Sequence, residues 1–318
     1  MILSLAGEQR FWRIFPAKLL EVVPPKHPTM KYLKQLGAGL LLLLSSHAFS
    51  QKTTPSLLYE VSGKGLTKPS YLYGTFHLLC QKDLQISPVA LEKLKGTEQL
   101  YLEIDMDDPK ELSSMMSSMY LKGQTLKDLV SEADYDYLNQ FFKDSLKTNL
   151  ESMKQMKPFV LMSMIYPKML GCTPGSPEIV FMQKATTDKK PVLGLEKAAD
   201  QFAVIDKPGP KKGAEQLVKY VREYGHSQEE FNAMLELYRK QDIEALYEAS
   251  EKDPDFKDQL QDLLWQRNSN WIPVITKSIH EKPSFIAVGA AHLGGPKGVL
   301  ALLREQGYTV KTVDTNVK

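Results

Sequence analysis

One short pattern constrains this chain more than any other. Gly-x-x-His-Leu occurs at Gly74-Thr75-Phe76-His77-Leu78 and again at Gly289-Ala290-Ala291-His292-Leu293, roughly 200 residues later. Each copy follows a β-rich run, Tyr71-Leu72-Tyr73 before the first and residues 284–288 before the second. An apolar run that breaks at glycine reads as a buried strand reaching its carboxyl end. Ligands of open α/β sheets sit outside those ends, so a histidine placed there faces the usual crevice. If the two strands are neighbours, their imidazoles meet.

Two further strand-like runs finish on acids. Residues 99–105 alternate Leu100, Leu102 and Ile104 with Tyr101, Glu103 and Asp105, and residues 191–196 close on Glu196. Imidazole nitrogen and carboxylate oxygen together suit a divalent ion such as zinc, manganese or cobalt. The groups at these strand ends that could bind a metal or move protons are His77, Glu103 with Asp105, Glu196 and His292. An ion held with an open position lowers the pKa of its water and polarises a carbonyl, while a carboxylate off the metal can serve as general base. Arg267 lies among Leu263, Leu264, Trp265 and Trp271, where it would clamp either a substrate carboxylate or a structural acid. Glu178 is read as an acid favouring a helix N-terminus.

Between these runs the chain reads as helical over 87–96, across 109–170 with breaks at Gly123 and Pro158, and across 215–279 with a break at Asp253-Pro254. Strands over 57–62 and 70–73 form a hairpin, and a last strand covers 308–313. The fold expected is α/β, a central mixed β-sheet flanked by helices with long helical insertions. Eight methionines between Met115 and Met169 are assigned to gap-filling in the core ahead of an adaptable peptide-binding surface. No Gly-x-x-x-x-Gly-Lys-Ser/Thr, His-Glu-x-x-His or Gly-x-Ser-x-Gly pattern occurs, which excludes the phosphate loop, the zinc-protease helix and the nucleophile elbow.

The first fifty residues do not read as part of this core. Lys31 and Lys34 precede an apolar run over 36–44 with five consecutive leucines, and Ala48-Phe49-Ser50 is a small-x-small exit. Residues 30–50 are the expected signal peptide, residues 1–29 an upstream extension before a start at Met30, and 51–318 a single domain. The apolar run is too short to span a bilayer, so no stable membrane span is expected after cleavage. Six of the 40 Lys and Arg and two of the 38 Asp and Glu lie in residues 1–50, which leaves about −2 on the remainder and no electrostatic footprint for nucleic acid. Both cysteines, Cys80 and Cys172, fall in the exported part, where an even count favours a disulfide.

Taken in order, Gly74-Thr75-Phe76-His77-Leu78, Leu102-Glu103-Ile104-Asp105, Pro191-Val192-Leu193-Gly194-Leu195-Glu196, Arg267-Asn268 and Val288-Gly289-Ala290-Ala291-His292-Leu293 resemble the TraB/GumN family, which includes the Tiki proteins. The resemblance covers residues 57–313. It implies an α/β fold akin to erythromycin-esterase-like and ChaN-like proteins. In the Tiki branch it implies a metal-dependent peptidase using manganese or cobalt, with His77, His292 and Glu103 at the centre and Glu196 in the matching Gly-Leu-Glu segment. With that resemblance, the reading is an exported, periplasmic or secreted metal-dependent hydrolase acting on a peptide or protein, with His77, His292 and Glu103 as expected metal ligands and Glu103, Glu196 and Arg267 as expected catalytic groups. The alternative is a binding protein that keeps the site and sequesters peptides without turnover.

Overall fold

The computed structural model describes residues 55–253 and 257–315, so the expected signal peptide and the start at Met30 lie outside the described residues. In chain order, β1 (Leu58–Ser62) and β2 (Ser70–Thr75) form the hairpin, β3 (Leu79–Cys80) follows His77, and α1 (Pro88–Gly96) leads to β4 (Gln99–Ile104). Helices α2 (Pro109–Ser118), α3 (Glu132–Leu146), α4 (Pro158–Ser163) and α5 (Tyr166–Leu170) make one insertion. β5 (Pro174–Gly175) and α6 (Pro177–Thr187) return the chain to β6 (Val192–Glu196). A second insertion comprises α7 (Ala198–Ile205), α8 (Pro210–Arg222), α9 (Tyr224–Arg239) and α10 (Ile243–Lys252). A π-helical turn, Gln261–Gln266, then runs into α11 (Arg267–Glu281), followed by β7 (Ser284–Gly289), a 3-10 turn over Ala290–His292, α12 (Val299–Glu305) and β8 (Thr309–Thr312).

The main sheet is mixed and six-stranded, in the order β6-β4-β7-β2-β1-β8. Its four strands from β6 to β2 are parallel, and β1 is antiparallel to both of its neighbours. This division is written in the side chains. β2 and β7 are buried along nearly their whole length, as parallel strands covered on both faces must be, whereas β8 at the edge alternates. All four parallel strands finish at one edge, and the two histidine loops leave from adjacent strands. Thr75 pairs with Gly289 and Gly74 with Val288, so the two copies of the motif are out of step by a single residue.

The helices fill two cores. One surrounds the sheet and includes Leu72, Leu100, Phe181, Trp271, Ile275 and Phe285. The other lies within the insertions, where Leu126, Leu138, Phe142, Leu150 and Leu161 meet Leu217 and Val221 of α8. The methionines divide accordingly. Met169 is buried, and Met153, Met156, Met162 and Met164 pack against the second core, but Met116 of α2 is 53% exposed. α2 buries no residue fully, and Met115 on it is half-buried. Among the described residues no helix is long and apolar enough to cross a membrane.

Candidate active site

Four strand ends and three helices, α6, α7 and α11, converge at the carboxyl edge of the sheet. Glu103, on β4, is the hub, and its carboxylate is buried. Its Oε1 accepts the Gly289 N–H at 2.8 Å, and its Oε2 accepts Arg267 Nη2 at 2.6 Å and Gln201 Nε2 at 3.1 Å. The Nε2 atoms of His77 and His292 stand 3.9 and 4.0 Å from that same Oε1. The two motifs, distant in sequence, thus bring both rings to one oxygen.

Each ring is oriented through its far nitrogen. His77 Nδ1 donates to Glu178 Oε1 at 2.6 Å, and Glu178 also accepts the Ser176 hydroxyl at 2.6 Å. His292 Nδ1 donates to Asn268 Oδ1 at 2.7 Å, an assignment fixed because Asn268 Nδ2 already donates to the carbonyls of His292 and Lys297. Partners of this kind fix the ring orientation of metal-binding histidines. The Nε2 of His77 is left facing Glu103, while that of His292 accepts from Arg267 Nη1 at 3.2 Å. His292 lies beneath Trp271, with ring centroids 4.4 Å apart, while the His77 side chain is 67% exposed at the mouth.

Arg267 ties the acids together. Its Nε and Nη2 donate to Glu196, its Nη2 also to Glu103, and its Nη1 to the Leu263 carbonyl at 3.0 Å, with His292 Nε2 3.2 Å away. Its side chain is 8% exposed and its donors are spent on the protein, which is the geometry of a clamp on the two carboxylates. Glu196 Oε2 also accepts the Trp271 indole N–H at 3.1 Å.

The electrostatics follow from these contacts. Burial would raise the Glu103 pKa, but Arg267, the two imidazoles and the Gly289 N–H hold it well below the usual carboxylate range. Burial lowers His292 to about 3, with Arg267 adding to the effect and Glu103 opposing it, so this ring is neutral. At His77 desolvation is outweighed by the hydrogen bond and charge of Glu178 and the charge of Glu103, which raise its pKa to about 9. Burial also dominates at Glu196 and raises it despite Arg267. One acid is therefore held ionised while a second, on the neighbouring strand, is pushed toward taking a proton.

Glycine makes the convergence possible. A Cβ at Gly74 would meet Ala290 and Leu293 of the other motif at 3.1 Å. A Cβ at Gly289 would lie 3.3 Å from Glu103 Oε1, 3.5 Å from His292 Cδ2 and 3.8 Å from His77 Nε2. The missing side chain leaves a cradle bounded by all three expected ligands. The donor chemistry and this cradle suit a small cation, although among the described residues no three His, Cys, Asp or Glu side chains are already placed to hold a metal ion together.

Asp105, grouped with Glu103 in the sequence, stands apart. It lies beyond the end of β4, where its Oδ1 accepts the N–H groups of Asp107 and Asp108 and closes a turn. Glu178 moves the other way, from a helix-terminus acid to the partner of His77. Its signal was legible, since Glu178, Phe181 and Ala185 form one buried stripe of α6. Asn268 and Trp271 share a corresponding stripe of α11 with Arg267 and Ile275. Gln201 carries no comparable mark in the sequence. The Cys80–Cys172 disulfide forms, with Cα atoms 5.6 Å apart.

The profile of the TraB/PrgY/gumN family matches residues 57–312. A Danio rerio protein named Metalloprotease TIKI2 is 29% identical over 112 residues, which is 35% of this chain. The matched stretch spans only 20% of that relative's length. No solved structure matches.

Proposed function

The chain belongs to the TraB/PrgY/gumN family, and from that premise we propose that it is an exported hydrolase of peptide bonds that depends on a divalent ion. The observation that carries the reading is the convergence of His77 and His292, each within 4.0 Å of Glu103 Oε1, around the position that a Gly289 side chain would fill. His77, His292 and Glu103 would hold the ion, with manganese, cobalt and zinc all compatible with nitrogen and oxygen donors. When bound, it would supply an acidified water and a polarised carbonyl. Glu103, held ionised, suits a ligand better than a base. Glu196, its pKa raised by burial, is the group suited to accept a proton. Arg267 keeps these two carboxylates at fixed positions.

A peptide substrate is supported by the name of the relative, and a groove of mixed lining borders the site's surroundings at Leu263. The groove, of about 290 Å³, is lined by apolar Phe159, Met162, Tyr166 and Leu263 and by polar Lys219, Glu223, His226 and Glu230. Leu263 is one turn from Arg267 and accepts its Nη1. Export is supported by the disulfide, which persists in oxidising compartments.

The second reading is a peptide-binding protein without turnover. It is favoured by one observation, that Arg267 Nη1 already faces His292 Nε2 and Glu103 already has three hydrogen-bond donors. The test is cleavage of a mixed peptide library, read by mass spectrometry, with metal-stripped protein and with added manganese, cobalt or zinc. The hydrolase reading expects ion-dependent products that disappear in His77→Ala and His292→Ala. Products undiminished in both variants would remove these residues from the chemistry, and tight peptide binding with no product would select the second reading.

A further inference from the structure

His77 is the exposed member of the site, and it leaves β2 on a loop that no long strand pairing restrains. Its orientation must come from elsewhere. The structure offers two restraints acting on the same pair of loops. Directly, Glu178 Oε1 accepts from His77 Nδ1 at 2.6 Å and is itself held by the Ser176 hydroxyl. Indirectly, the segment after His77 is pinned to the segment before Glu178. β3 pairs with β5 through Leu79 with Gly175 and Cys80 with Pro174, the Gln81 N–H donates to the Thr173 carbonyl at 2.8 Å, and the disulfide joins Cys80 to Cys172. Cys80 is three residues beyond His77, and Cys172 is six residues ahead of Glu178.

We infer that Glu178 is the positioning residue for His77, and that the Cys80–Cys172 disulfide sets the separation of the two loops so that this contact forms. A two-residue strand pair is too short to hold a register by itself. The covalent link removes the freedom that remains, and the buried stripe of α6 anchors the Glu178 end. The disulfide thereby contributes to the reaction by aiming an imidazole, beyond its effect on the stability of the chain. The inference rests on the reading of His77 as an ion ligand, yet the contact itself can be observed without any turnover.

The experiment uses the mature chain in four forms: wild type, Glu178→Ala, Glu178→Gln, and the double variant Cys80→Ser with Cys172→Ser. The first readout is the His77 Nδ1–H resonance in the nitrogen-15 NMR spectrum of the ion-free protein. We expect a downfield, slowly exchanging proton in wild type, its loss in Glu178→Ala, its retention in Glu178→Gln, whose amide oxygen still accepts, and exchange broadening in the double-cysteine variant. The second readout is steady-state peptide cleavage with manganese. We expect kcat to fall about 10-fold to 100-fold in Glu178→Ala, as for other outer partners of metal-binding histidines, with KM within about twofold and partial recovery in Glu178→Gln. A retained His77 resonance in Glu178→Ala, or a double-cysteine variant equal to wild type in both readouts, would overturn the inference. Should Glu178→Ala fail to fold, Glu178→Gln and the double-cysteine variant carry the same decision. Resonances as expected in a wild type that cleaves nothing would leave the clamp standing and remove the hydrolase reading. Cleavage that is indifferent to Glu178 would do the reverse.

Discussion

Gly289→Ala separates the site from the fold more cleanly than loss of any ligand. Gly289 has φ −50° and ψ 133°, a conformation open to alanine, so the substitution meets no backbone penalty. Replacing glycine at such a position stabilises by about 0.4–1 kcal/mol through the unfolded chain. Against this, the new methyl lies 3.3 Å from Glu103 Oε1, tight enough to push on the 2.8 Å hydrogen bond between that oxygen and the Gly289 N–H. A weakened hydrogen bond costs about 1 kcal/mol, so the two effects nearly cancel. The cradle does not survive, because the methyl carbon takes up the space beside Glu103, His292 and His77. Ligand distances near 2 Å leave no room for both a methyl and an ion there. The expected result is an unfolding midpoint in guanidinium equivalent to within about 1 kcal/mol of wild type, with manganese affinity and peptide turnover each lowered at least about 10-fold. Manganese affinity and turnover both within twofold of wild type would refute the claim that this space is where the chemistry is held.

Three other outcomes follow from the same contacts. Arg267→Met leaves the Glu103 and Glu196 carboxylates buried without their cation and is expected to cost about 3–5 kcal/mol in a denaturant titration. Adding Glu196→Gln should return part of that loss, and a double-mutant coupling near zero would contradict the clamp. In the ion-free protein, His77 faces Glu178 and Glu103 with Arg267 beyond, and its raised pKa contributes stability that is fully present below about pH 6.5 and lost as pH rises through about 9. Thermal midpoints measured against pH should show that alkaline decline in wild type and lack it in His77→Ala. Lys190→Met removes the ammonium that donates to the carbonyls of Leu94 and Lys95 at the end of α1, and should cost about 1.5–3 kcal/mol by chemical unfolding while leaving peptide cleavage unchanged.

The parallel core of the sheet was legible because β2 and β7 carry near-continuous apolar runs that stop at glycine, and the same punctuation located His77 and His292. Glu103 could be seen only as one of two alternating acids. Which of the two enters the core depends on the neighbouring strand, and pairing with β6 and β7 turned Glu103 inward while Asp105 fell beyond the strand and closed a turn. Glu178 does stand in the first turn of α6, as read, but its partnership with His77 was missed for a different reason. A glutamate in a first helical turn has an adequate local explanation, and only its register with Phe181 and Ala185 betrays a buried position. The partners of Arg267 were out of reach, since its contacts with Glu103 and Glu196 span 164 and 71 residues and no local pattern encodes them. The insertions were read as helical but their ends were not, because α3 stops at Lys147 in a left-handed conformation that no glycine announces.

The account turns on both histidine loops serving one ion. Manganese titrated calorimetrically into metal-stripped protein tests this most directly, with wild type, His77→Ala and His292→Ala compared at one pH and ionic strength. One ion per chain is expected in wild type, with affinity reduced at least about 10-fold in each variant. Binding unaltered by either substitution, or absent from folded wild type, would contradict it.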